Sequence, residues 1–129
     1  MFQSAYGNHE ASGCYLTDAC LVLRGLAHAD SCYELCLIEL FRKEYIAKLP
    51  GGEDVLSDYD KKSSRIAQAI RVETDAWQAY LELYDGYLTT IVALIVNGRW
   101  DEAYEAYRVM CKDMESQYLR KDQTFGKKR

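Results

Sequence analysis

The stretch Ile70-Arg-Val-Glu-Thr74-Asp-Ala-Trp77-Gln-Ala-Tyr80-Leu81-Glu-Leu-Tyr84-Asp-Gly-Tyr87-Leu88-Thr-Thr-Ile91-Val-Ala-Leu-Ile95 decides how this chain folds. Ile70, Thr74, Trp77, Leu81, Tyr84, Leu88, Ile91 and Ile95 alternate steps of four and three, and Thr74 is the one polar member. That spacing draws a single apolar stripe along an α-helix over about four heptads. It predicts a long helix over 63–96, unless Asp85-Gly86 interrupts it. Gly86, after Asp85, costs about 1 kcal/mol relative to alanine inside a helix, a cost that a long helix tolerates.

Downstream, Asn97-Gly98 supplies residues that accept the left-handed conformation, so the helix stops there. Trp100, Ala103, Tyr107, Met110, Met114 and Tyr118 then fall on one face of a final helix over 100–119. The connection is short, so the last two helices are expected to pair as an antiparallel hairpin. The segment from Asn97 to Tyr107 resembles the inter-helix turn of a tetratricopeptide repeat. It occurs once, so it reads as hairpin chemistry and not as a repeat array.

Upstream, Pro50-Gly51-Gly52 is the clearest breaker. Before it, Leu16, Cys20, Leu23 and Ala27 share one face of a helix over 12–29. Ser31-Cys-Tyr-Glu34 then reads as a capping box that opens a second helix over 32–48, with Leu35, Ile38, Phe41 and Tyr45 as its apolar face. Glu53–Lys62 is strongly charged and is compatible with either a loop or the first turns of the next helix. The expected fold is all-α: an antiparallel bundle of about four helices, with a long third helix and a C-terminal helical hairpin. The expected organisation is a flexible N-terminus over 1–11, one helical domain over 12–119, and a basic, disordered tail over 120–129.

The chain has 129 residues and about half are apolar, enough for an independent core without staples. No apolar run reads as a membrane span of about 20 residues, and the first residues lack the basic and apolar regions of a signal peptide. The formal charge is −4. Residues 120–129 carry five cations against Asp122, so the acidic excess lies entirely in the rest. An acidic body repels phosphate backbones and argues against a nucleic-acid partner. It suits a basic protein.

Five cysteines are present: Cys14, Cys20, Cys32, Cys36 and Cys111. Their spacing fits no zinc or iron–sulfur pattern. They read first as buried thiols, which favours a cytoplasmic protein, and second as one or two disulfides, which favours a periplasmic one. Arg24-Gly-Leu-Ala-His28 resembles the Arg/His pair of HEPN-type ribonucleases, with a shorter spacing and Gly25 in place of the polar residue that follows the arginine. This departure argues against RNA cleavage. No Glu-x-x-His occurs, so the di-metal pattern of helical bundles is absent from the sequence. No catalytic residue, cofactor-binding residue or metal ligand is assigned, and no cofactor is expected.

Eleven tyrosines are the main oddity of the composition. Tyrosine contributes rigid, amphipathic area at protein interfaces. Glu73, Asp75, Tyr80, Glu82, Asp85 and Tyr87 fall along the long helix and are the candidate partner-binding surface. Glu73-Thr-Asp-Ala-Trp77-Gln-Ala-Tyr80, with Cys111 downstream, resembles the C-terminal half of LprI-type lysozyme inhibitors. That resemblance implies a periplasmic, disulfide-containing inhibitor of a cell-wall hydrolase.

The leading expectation is a non-enzymatic protein-binding protein, an inhibitor, immunity protein or antitoxin, that neutralises a basic partner through an acidic, Tyr-rich helical surface. The alternatives are the periplasmic inhibitor, a homo-oligomeric structural or assembly component, and a helical enzyme with an unrecognised site.

Overall fold

The computed structural model describes residues 14–25 and 32–120, and every regular element in them is helical. Helix α1 spans Tyr15–Arg24 and α2 spans Tyr33–Glu44. A 3-10 turn over Ile46–Lys48 leads into α3, Gly52–Arg71. Helix α4, Ala76–Val96, follows after a short link. Helix α5, Trp100–Met114, runs on into a π-turn over Glu115–Arg120. The expected N-terminus over 1–11 and, of the tail expected over 120–129, residues 121–129 lie outside the described residues, as do Ala27, His28 and Ser31.

Several expected boundaries move. The first helix ends at Arg24 and not near 29, because Gly25 adopts φ 65° and its N–H closes onto the Leu21 carbonyl. Cys32, not Ser31, occupies the N-cap of α2. Glu34, expected to complete a capping box, accepts hydrogen bonds from Cys32 Sγ (3.3 Å) and Tyr84 Oη (2.7 Å). The charged segment 53–62 is helical and belongs to α3. Gly51 turns the chain with φ 76°, and Gly52 lies so close to the Ile46 carbonyl that a Cβ there would overlap it.

The largest correction concerns the single helix expected over 63–96. The chain breaks over 72–75, and α3 and α4 are separate helices. Asp75 restarts the helix: its Oδ1 accepts from the Gln78 N–H at 3.2 Å, the usual way an Asp satisfies an orphan amide of a first turn. The heptad stripe holds only in part: Ile70, Leu88 and Ile91 are buried, and its middle departs from the core. Thr74 and Trp77 are exposed, and the buried positions of α4 are Tyr80, Leu83, Leu88 and Ile91. The step of five from Leu83 to Leu88 is absorbed by a π-turn over Tyr84–Leu88, which adds one residue to the turn and keeps both leucines on the core.

Helix α4 holds the domain together. Its first half packs on α1, and its second half packs on α2 and along α5. The chain reverses at Asn97–Arg99, with Gly98 at φ 75° and the Arg99 N–H bonded to the Leu94 carbonyl. Helix α3 covers α1 and the end of α5. The buried set draws on every helix, from Tyr15 and Leu16 to Met114 and Tyr118. By length and composition α4 is also apolar enough to cross a membrane, although no such run was expected from the sequence. Glu82 and Asp85 interrupt the apolar run.

Candidate functional site

The residues expected to form the partner surface separate into two groups. Glu73 and Asp75 sit in the link before α4, and Asp75 is engaged as the helix cap. Glu82 and Asp85 are exposed on α4, beside Gln78 and Leu81, around an open recess of about 410 Å³. Gln78 Nε2 donates to Glu82 Oε2 at 3.3 Å. The two tyrosines do not join them. Tyr80 is buried, and its hydroxyl donates to Asp18 Oδ2 at 2.9 Å. Arg71 donates to the same oxygen through Nε (2.8 Å) and Nη2 (2.7 Å), so one carboxylate ties α1 to α3 and α4. Tyr87 is half-buried and donates to Asp113 Oδ2 at 2.6 Å, joining α4 to α5. That bond, with burial, pushes the Tyr87 phenol up to about 12. Tyr80 and Tyr87 therefore tie helices together through their hydroxyls.

A second arrangement is polar and internal. Tyr15, Tyr59 and Tyr107 are all buried; the Tyr15 and Tyr59 ring centroids lie 5.1 Å apart and those of Tyr59 and Tyr107 5.9 Å apart. Cys14 Sγ and Tyr59 Oη are 2.7 Å apart. The Arg42 guanidinium stands over the Tyr59 ring at 5.2 Å and donates to Asp60 Oδ1 at 2.8 Å. Burial raises all three phenols well above their ordinary range. It also pushes the Cys111 thiol up to about 12, against a hydrogen bond from Tyr15 that works the other way. Burial opposes the Arg42 charge, but the facing Tyr107, Asp60 and Tyr59 outweigh it and hold its pKa above the usual value. The three phenols and the Cys111 thiol therefore keep their protons near neutrality, and none of these four supplies a general base or a thiolate nucleophile there. Among the described residues no cluster of three or more His, Cys, Asp or Glu side chains is suited to hold a metal ion.

The third arrangement is an apolar groove where α2 meets the turn between α4 and α5. Leu37, Leu40, Phe41, Tyr45, Ile95 and Trp100 line about 230 Å³, with Glu44 at the edge. It exists because α2 carries two apolar stripes. Leu35, Ile38 and Phe41 turn inward and are buried. Tyr33, Leu37 and Leu40 lie beside them, and Tyr33 and Leu40 are 59% and 57% exposed. Trp100 is held in place although half of it faces solvent: its Nε1 donates to the Ile95 carbonyl at 3.2 Å, and its ring meets the edge of Tyr45 at 5.7 Å. Tyr45 stacks on Phe41 at 5.2 Å, which fixes the floor.

The sequence reading missed this groove because it assigned each helix one face. Trp100 entered that reading as a core residue of the last helix. The signal was the run Leu35-Cys-Leu37-Ile38-Glu-Leu40-Phe41, which holds more apolar residues than one buried stripe requires. A larger recess of about 610 Å³ between α3 and α5 is lined by charged side chains of both signs. Two of these, Asp58 (3.1 Å) and Glu115 (3.0 Å), pair with the neighbouring Lys62.

No family model, curated protein or solved structure matches this chain.

Proposed function

We propose that this chain is a non-enzymatic protein-binding module, laid out as an antiparallel helical bundle, that docks a basic protein partner in the groove between α2 and the α4–α5 turn. Its biological class is that of an inhibitor, immunity protein or antitoxin. One observation carries the reading: Leu40 and Trp100 are each about half exposed around an apolar groove whose aromatic floor is already fixed. Large apolar side chains held in this way gain affinity when a partner covers them, because little ordering remains to be done. The acidic excess outside residues 120–129 supports a basic partner by steering its approach, and the exposed Glu82 and Asp85 contribute to that field.

The test is quantitative affinity capture from the native cells, comparing the wild-type chain with Leu40→Asp, Trp100→Ser and the pair Glu82→Lys/Asp85→Lys. The reading predicts a basic protein held by the wild-type chain and lost, by tenfold or more, with either groove variant. The charge-reversal pair should still capture it, less efficiently and with weaker dependence on salt. A partner that is retained by both groove variants and lost only on charge reversal would move the docking surface to the outer face of α4.

A further inference from the structure

The first half of α4 leaves one face without a neighbour, and the chain returns to it. Tyr80 and Leu83 are its buried side. Trp77, Glu82 and Asp85 are exposed and Leu81 is half-buried. Leu81 lines the open recess of about 410 Å³ together with Glu82 and Asp85, and Trp77 stands one helical turn before it. Among the described residues no ion pair engages Glu73, Glu82 or Asp85.

Helix register brings the end of the described chain to this face. Tyr87 and Asp113 are hydrogen-bonded across the α4–α5 hairpin, and the chain reverses at Asn97–Arg99. Five residues beyond Asp113 therefore come level with five residues before Tyr87, so Tyr118 stands level with Glu82. Both intervals run through a π-turn, which keeps the register. The π-turn that carries the buried Tyr118 packs on α3, which ends at the link holding Glu73. Burial, and then the charges of Glu73 and Glu82, raise the Tyr118 phenol, in keeping with that placement. Residues 121–129 thus start beside the outer face of α4. Their sequence, Lys121-Asp-Gln-Thr-Phe125-Gly-Lys127-Lys128-Arg129, sets one aromatic ring among four cations and one carboxylate. Phe125 follows Arg120 by five residues, a reach of at most about 17 Å. The groove at Trp100 lies at the other end of α5 and its π-turn, about 30 Å from Arg120, out of reach of Phe125.

We propose that residues 121–129 dock on the outer face of α4 of the same molecule, with Phe125 on Trp77 and Leu81 and the cations facing Glu73, Glu82 and Asp85. The segment and the face are complementary twice over, aromatic ring to apolar strip and cation to carboxylate. A short tether holds the segment at high effective concentration, so modest contacts suffice. Docked there, the cations offset part of the field of α4 and leave the remaining carboxylates of the body to act on a partner. The groove between α2 and the α4–α5 turn stays open, so this inference stands apart from the docking reading above.

The experiment places a photoreactive phenylalanine at position 125 of the full, purified chain, illuminates it in dilute solution and maps the adducts. The expected product has the mass of one chain, with position 125 joined to the peptide that holds Trp77–Asp85. Its yield should fall about fivefold or more in 1 M salt, where the screening length shortens to about 3 Å. The same fall is expected with Glu82→Lys/Asp85→Lys, a change at two exposed positions. Without the photoreactive group, Phe125→Ser should shift the indole N–H resonance of Trp77. It should leave that of Trp100, which donates to the Ile95 carbonyl, in place. Adducts of two-chain mass would assign this face to a second copy's segment. That result, adducts at the groove or scattered over the surface, no adduct at all, or a Trp77 resonance indifferent to Phe125→Ser each overturn the proposal.

Discussion

Single side chains in this protein show how little a polar residue's address in the sequence says about its exposure. Tyr80 and Tyr87 sit on α4 among carboxylates, yet their hydroxyls are committed to Asp18 and Asp113 on other helices. A buried hydroxyl without a partner costs about 1 to 3 kcal/mol, so each carboxylate also keeps its tyrosine satisfied. Hydrogen bonding to Asp113 at Tyr87 and burial at Cys111 set a pH dependence. Folding raises the Cys111 thiol from an ordinary 9.0 to about 12 and the Tyr87 phenol from 10.0 to about 12. Folding disfavours the charged form of both groups. Their contribution is therefore complete below pH 9.0 and is lost as pH rises toward about 12. The buried phenols of Tyr15, Tyr59 and Tyr107 add to it with the same sign. Urea midpoints measured from pH 7 upward should hold level to about pH 9 and then fall through that window. A midpoint that stays level to pH 11 would mean that these groups are not buried as described.

Among the elements, α4 is the most informative. Its π-turn over Tyr84–Leu88 holds one residue more than an α-turn needs, and that residue lets Leu83 and Leu88 both face the core. Deleting Gly86, which is exposed and has nothing within 4 Å of a Cβ position, should convert the bulge into an ordinary α-turn with the core register kept. The shortened chain should fold, with unchanged near-ultraviolet circular dichroism and a melting temperature within a few degrees of wild type. Loss of cooperative melting would show that the turn does more than absorb an insertion. These elements also mark how far the sequence was legible. Pro50-Gly51-Gly52 and Asn97-Gly98 stood out because glycine and proline change the backbone directly. The last helix was legible as well: Ala103, Tyr107, Met110, Met114 and Tyr118 are all buried. The break over 72–75 was not legible, since Val72-Glu-Thr-Asp75 holds neither glycine nor proline and Asp75 read as surface charge. Its cap, worth about 1 kcal/mol, acts through one backbone N–H that no periodicity reveals. The heptad stripe misled for a related reason, because a π-turn changes the phase of a helix without changing its composition. The groove was hidden because it is built from the second stripe of α2 and from Trp100, which only the tertiary arrangement brings together.

At the scale of the whole molecule, the proposed docking assigns the acidic body and the apolar groove to different parts of one binding event. Charge acts at long range and sets the rate of encounter, while the groove sets how long a complex lasts. The measurement that tests this account most directly is site-specific photo-crosslinking in the native cells, with a photoreactive phenylalanine at position 40 in one strain and at position 82 in another. Both positions are exposed, one at the groove and one on the outer face of α4. The account predicts one discrete adduct with a basic protein from position 40, lost when Trp100 is replaced by serine, and at most a faint adduct from position 82. A discrete adduct from position 82 with none from position 40 would contradict it.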